Sequence, residues 1–354
     1  MTSRERILAA AHGELPDRLP VAMYMANHVN AVSGKRLRDC YTNGKTLAEA
    51  QLAGLDIYGQ DAVIVQSDNY YMAEAFGAKV TYYDDATPTL ADPVVHEIAD
   101  IGKLKIPDPA TDGRMSVYLE AVERLKLELG DEVAIRACGT GPFVLSGHLM
   151  GTERFLTELA GAHYGINGSK SALLDLLEVT RQALVRFVKL QLELGATIVQ
   201  CADSGASLDM ISPEMYELYA FPFEQQFYAE ISPLCEEYGA VSLLHICGDN
   251  TDVFHLYART GADLIEVDHK SDLRKAKEIM GANVCIIGNL DPVSVLLQGS
   301  EAQITRQAQK CIADAAEGGG YILGSGCEVA MDTPRENVRA VVKAAMEHRY
   351  TGEE

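Results

Sequence analysis

Short apolar runs that end in a polar residue or glycine recur along the chain, and between them the apolar positions shift to helical spacing. The runs are LPVAMYM (19–25), AVIVQSD (62–68), VAIRACG (133–139), TIVQCAD (197–203), AVSLLHIC (240–247), ADLIEVD (262–268), VCIIGNLD (284–291) and YILGSGC (321–327). Several helix starts are marked between them. Ser300 with Gln303 forms a capping-box pattern ahead of ITRQAQKCIADAA. Thr333, Pro334 and Glu336 form another ahead of NVRAVVKAAMEH, with Pro at the first helical position. Asp249, Asn250 and Thr251 can cap DVFHLYAR.

Near-continuous apolar strands separated by helices predict a parallel sheet covered on both faces. Eight such runs predict a single (β/α)8 TIM barrel spanning residues 1–354. A helical extension precedes the first strand. The gap between the second and third strands is too wide for one helix. It holds KVTYYDD (79–85) and the Pro/Asp-rich IPDPATDG (106–113), so an insertion or small hairpin is expected there. An open doubly wound sheet is the weaker alternative, because no Gly-rich dinucleotide fingerprint follows the first strand.

Composition narrows the function classes. The 354 residues carry a net charge of −21 and no basic block, which argues against nucleic acid and against anionic membranes. No apolar run is long enough to cross a bilayer. Arg4, Glu5 and Arg6 interrupt the N-terminus where a signal peptide would be apolar, so a cytoplasmic protein is expected. The eight cysteines should then be reduced, most of them as small buried hydrophobes, with metal binding or catalysis favoured over disulfides.

Barrel enzymes build their sites at the C-terminal ends of the strands. The polar endings here are Tyr24 and Asn27, Asp68, Cys138, Asp203, His245 and Cys247, Asp268 and His269, Asn289 and Asp291, and Cys327. Strand alternation projects His245 and Cys247 from one face, and barrel closure can bring Cys327 to them. One His and two Cys form a zinc ligand set with an open fourth position, which indicates catalysis; the alternative is an ordinary buried histidine beside a thiol. Asp203 suggests a substrate or supporting role, or a turn cap. Asn289 and Asp291 suit substrate orientation, or an N-cap before Pro292. Tyr24 and Asp68 are candidate substrate-binding residues. Arg136 suits a substrate anion or a buried ion pair. His148, His163, His255 and His348 read as structural.

The chain resembles the uroporphyrinogen decarboxylase superfamily, in particular its corrinoid-dependent methyltransferase branch, which includes the methylcobamide:coenzyme M methyltransferases. The resemblance rests on GTGPFVLSGHLMG (139–151), ADSGASLDMISPEMYELYAFP (202–222), LLHICGDNT (243–251), GADLIEVD (261–268), GNLDPV (288–293) and GSGCEVAMDTPRENVRA (324–340). It implies a (β/α)8 barrel with Zn2+ on His245, Cys247 and Cys327. A nearby carboxylate would complete the metal sphere, Asp268 first and Glu266 as the alternative. Asp203, Asp268 and Asn289 are the catalytic candidates. The decarboxylase branch carries an Arg-rich segment after the first strand, whereas PVAMYMANHVNAVSG (20–34) has no Arg to grip a polycarboxylate.

The implied chemistry is methyl transfer between a methylcorrinoid and a thiol such as coenzyme M, or another small acceptor, through a zinc-activated nucleophile. The alternatives are transfer from a methylated donor to the corrinoid, a metal-independent decarboxylase, and a non-catalytic barrel with a structural zinc. No Asp-x-His-x-x-Gly corrinoid-binding pattern occurs, so methylcobalamin would arrive on a separate corrinoid protein.

Overall fold

The computed structural model describes residues 1–281 and 283–350. Seven parallel strands form one sheet in chain order: β1 (Ala62–Val65), β4 (Ala134–Thr140), β5 (Ile198–Ala202), β6 (Val241–Ile246), β7 (Leu264–Val267), β8 (Cys285–Leu290) and β9 (Tyr321–Ser325). The insertion after β1 contains the expected hairpin, β2 (Lys79–Thr81) paired antiparallel with β3 (Thr89–Asp92).

The eighth strand of the expected barrel, residues 19–25, is reduced to a single parallel bridge between Val21 and Leu323. It still closes the ring. Ala22 N–H donates to the Leu323 carbonyl, Leu323 N–H to that of Pro20, and Asp61 N–H to that of Val21. Side chains take the bonds that a regular ladder would have made. The N–H groups of Val21, Met23 and Tyr24 donate to the Asp61 carboxylate, Gln60 Oε1 and Ser325 Oγ.

Two-residue alternation sorts every strand into an outer and an inner face. Outward residues such as Val63, Ile135, Val199, Leu244, Ile265 and Ile286 pack against the helices in the main core. Inward residues at the strand starts, among them Ala134, Ile198, Val241, Leu264 and Ile322, form a second apolar cluster with Ile7 and Ala10. Those two belong to the N-terminal helix Ser3–Ala11, which therefore plugs the barrel floor. Asp61, fully buried, ties the plug in place by accepting from Ser3 Oγ, Arg6 Nη1 and Arg18 Nη1 and Nη2 at 2.8–2.9 Å.

Two helix starts fall within a residue of the expected positions, whereas DVFHLYAR opens as a 3-10 turn, Thr251–Val253, and becomes α-helical only over Phe254–Tyr257. The last helix, Arg335–Glu347, begins one position later than expected, with Pro334 as its cap, because Thr333 N–H closes a preceding turn on the Ala330 carbonyl. Ser300 caps Glu301–Ala315 without a side-chain hydrogen bond. Among the described residues, no helix is long and apolar enough to cross a membrane.

Candidate active site

Above the apolar floor, the barrel interior turns polar. Arg136 on β4, Gln200 on β5 and Glu266 on β7 are all at most 1 % exposed. Arg136 donates from Nη1 and Nη2 to the two Glu266 oxygens at 2.7 and 2.6 Å, and from Nε to Gln200 Oε1 at 2.7 Å. The Tyr24 ring lies over the guanidinium, 4.8 Å from its centre. This pair leaves Glu266 ionised: burial opposes its charge, but Arg136 outweighs that and holds the carboxyl at about 2.

One layer higher, His245 ends β6 with Nδ1 3.0 Å from Glu266 Oε2. Its Nε2 lies 3.2 Å from Cys247 Sγ, which is 3.4 Å from Cys327 Sγ. The three donor atoms lie within 4.8 Å of one another. The Cys327 thiol and the Ser204 hydroxyl, 3.1 Å away, both donate to Cys247, whose pKa is drawn down to about 3 by the Cys327 hydrogen bond first, and then by His245 against the cost of burial. Burial opposes protonation of His245, yet Cys247 and Glu266 raise it to about 10. Cys327 moves up, because its proton is held by Cys247 and its own ionisation would add a second buried negative charge.

The loop carrying Cys247 is fixed by Asn250, whose amide donates to the carbonyls of Ile246, Cys247 and Gly248 and accepts from Leu208 N–H. Asn250 therefore braces the cysteine loop instead of capping the next helix with its side chain.

The donor set fits zinc. Ligands about a tetrahedral zinc with two thiolates and an imidazole stand roughly 3.5–3.8 Å apart. The 3.2 and 3.4 Å edges reach that by opening a few tenths of an ångström. A carboxylate stands beyond His245, 3.0 Å from Nδ1, as it commonly does behind metal-bound histidines, without the alignment of a hydrogen bond.

These donors lie at one side of a cavity of about 370 Å³ at the barrel mouth. Phe143, Val144, Phe155, Leu156 and Met210 give it an apolar wall, while Tyr24, Gln66, Thr140 and His148 supply polar atoms. A cavity of this size takes a small ligand.

Of the other expected site residues, Tyr24 and Cys138 line this cavity, and the Cys138 thiol donates to Gln200 Oε1 at 2.9 Å. Asp203 lies behind it, fully buried, accepting from Phe143 N–H and Val144 N–H at the start of the helix Pro142–Met150. Gly141 makes that approach possible, since a Cβ there would sit 2.4 Å from Asp203 Cγ. Asp203 is thus a cap on a neighbouring helix, not a group facing the cavity. Burial raises its carboxyl to about 7, against the pull of those two N–H groups.

Asp68 is also withdrawn from substrate: Arg114 at 2.6 Å, Tyr118 Oη at 2.5 Å and Tyr70 N–H occupy its oxygens. Asp291 caps Val293 and Ser294. Asn289 spends its amide on the Asp268 and Ser271 carbonyls. Both line a separate, roomier cleft of about 650 Å³ outside the mouth, away from the three donors. Asp268 lies outside the 4.8 Å donor group; its Oδ1 accepts from Lys270 N–H and stands 3.0 Å from His269 Nδ1. Glu266, the other expected fourth ligand, has both oxygens committed to Arg136. His148, read from the sequence as structural, lines the cavity with Nδ1 unpartnered.

The uroporphyrinogen decarboxylase (URO-D) family profile matches residues 2–348. The chain belongs to that family. The methylcobamide:CoM methyltransferase MtbA of Methanosarcina acetivorans is 29% identical over 99% of both chains. A uroporphyrinogen decarboxylase of Syntrophotalea carbinolica is 29% identical over 86% of this chain and 84% of its own. Among solved structures, a methyltransferase from Methanosarcina mazei superposes with a TM-score of 0.87 at 25% identity, covering 98% of this chain and 99% of its own. The likeness to methylcobamide:coenzyme M methyltransferases and the barrel fold expected from the sequence are both borne out.

Proposed function

We propose that this enzyme of the corrinoid methyltransferase class moves a methyl group between a corrinoid carried by a separate protein and a small thiol, at a zinc site formed by His245, Cys247 and Cys327. One observation carries the reading: an imidazole and two thiols converge within 4.8 Å beside a cavity at the C-terminal end of the barrel. Three protein donors leave one position for a ligand. A zinc ion bound there supplies Lewis acidity that keeps an entering thiol deprotonated near neutral pH.

The chain's own residues prepare that position. Glu266, fixed by Arg136, stands behind His245; the Ser204 hydroxyl holds Cys247; and Asn250 braces the loop between them. The apolar wall excludes water, which preserves the nucleophilicity of a sulfur anion. In transfer to the thiol, an S–C bond forms as the methyl group leaves cobalt, and the electron pair of the broken Co–C bond stays with the corrinoid.

The test begins with zinc content. Purified protein should hold about one zinc per chain, lost in both His245→Ala and Cys327→Ala. The loaded protein should then demethylate methylcobalamin in the presence of thiols. Zinc-free protein, or zinc binding indifferent to both substitutions, would remove this reading and leave the metal-independent decarboxylase.

A further inference from the structure

The charges around the cavity restrict what it can hold. Glu328, Cys247 and Cys327 line it. Among the described residues, no Lys or Arg lines it. The nearby cations are committed elsewhere. Arg136 is sealed beneath Tyr24 with Glu266 as its partner. Arg114 is bound to Asp68, Glu74 and the Tyr41 carbonyl. At the rim, Lys270 binds Asp209 at 2.7 Å.

The polar features that remain are neutral. His148 lines the cavity at 8 % exposure and packs against the Tyr70 ring at 4.5 Å between centroids, with Nδ1 buried and unpartnered on the closed side. Burial pulls its pKa down to about 4, so the ring is uncharged near neutral pH. Thr140, Thr152 and Gln66 add hydroxyl and amide groups, and the rest of the wall is apolar.

An anionic ligand tail would lose its hydration on entering this space and gain no counter-charge from the side chains that line it. The acidic side chain on that wall, Glu328, accepts from Asn27 N–H and offers an anion no compensation. A hydroxyl or other neutral tail avoids that cost, and the His148 imidazole on the cavity wall can hydrogen-bond to it.

We infer that the thiol taken at this site carries an uncharged tail, read by His148, and not a sulfonate, carboxylate or phosphate. This specificity rests on the thiol-transfer reading above and sharpens it.

Binding, not turnover, is the direct test. Zinc-loaded protein would be titrated calorimetrically at neutral pH with 2-mercaptoethanol and, separately, with 2-mercaptoethanesulfonate. These two thiols differ only in the tail. The hydroxyl thiol should bind about tenfold more tightly, a difference of roughly 1.4 kcal/mol. Equal affinity, or preference for the sulfonate, would overturn the inference while leaving thiol transfer intact. Binding of neither thiol to protein shown to contain zinc would overturn both.

Two variants separate the causes. His148→Leu should weaken the hydroxyl thiol several-fold with zinc content unchanged; unaltered affinity would remove His148 from recognition. Met210 lines the cavity but is half exposed, so Met210→Lys can add a cation without burying it. That variant should tighten the sulfonate and close most of the gap. An unchanged gap would show that charge is not the basis of selection.

Discussion

Glu266 Oε2 stands 3.0 Å from His245 Nδ1 and 2.6 Å from Arg136 Nη2, so one carboxylate couples the barrel's central ion pair to the metal donors. Glu266→Gln keeps the shape but removes the charge. Zinc affinity should fall roughly 10- to 100-fold, read by chelator competition. The same change leaves Arg136 buried beside a neutral amide, so stability should drop by about 3–5 kcal/mol in denaturant unfolding. Unchanged zinc affinity would mean that the carboxylate does not orient His245.

Zinc uptake should release protons. Before metal binds at neutral pH, His245 is protonated, its pKa raised to about 10 by Cys247 and Glu266 against burial, and Cys327 retains its thiol proton. Both must give up those protons to ligate. Apparent affinity should therefore rise with pH, by about tenfold or more for each unit. Calorimetry in buffers of different ionisation enthalpy would count the protons directly.

Asp68 separates a structural role from a substrate role. With Arg114, Tyr118 and Tyr70 around it, Asp68→Asn should cost about 3–5 kcal/mol by leaving Arg114 uncompensated. At temperatures where the variant is folded, thiol affinity should match the parent protein. A selective loss of affinity without loss of stability would restore the substrate-binding role expected from the sequence.

Gly141 is set by the Asp203 cap. Gly141→Ala would place a Cβ 2.4 Å from Asp203 Cγ, forcing the cap off the helix Pro142–Met150. The expected cost is about 1–3 kcal/mol, measured by thermal or denaturant unfolding.

His148 carries a pH signature of its own. Burial lowers its pKa from 6.5 to about 4, so the folded state resists its protonation. Its stabilising contribution is present above about pH 6.5 and is lost as pH falls toward 4, where the unfolded chain alone takes the proton. His148→Gln should unfold with a shallower pH dependence across that window. Parallel profiles for the two proteins would contradict this.

The sequence carried the barrel because each strand ends its apolar run at a polar residue. It also carried the His245/Cys247 pair, because alternation places residues two apart on one face. It did not carry the fate of the carboxylates. Glu266 and Arg136 lie 130 residues apart, and no local pattern reveals that they neutralise one another. Asp68 likewise meets Arg114 only in the fold, 46 residues on. Helical spacing could not distinguish His148 from a packed histidine, since what matters is the open space in front of its ring. The segment 19–25 reads as a strand by composition, but Gln60, Asp61 and Ser325 compete for its N–H groups and win.

That seam has a consequence for synthesis of the protein. The segment around Val21 finds its ladder partner only at Leu323, some 300 residues downstream. As the chain emerges from the ribosome, the Ser3–Ala11 plug and the Asp61 cluster can gather early. The ring itself stays open until β9 is made, so the last strand to be translated is the one that completes the mouth and delivers Cys327 to His245 and Cys247.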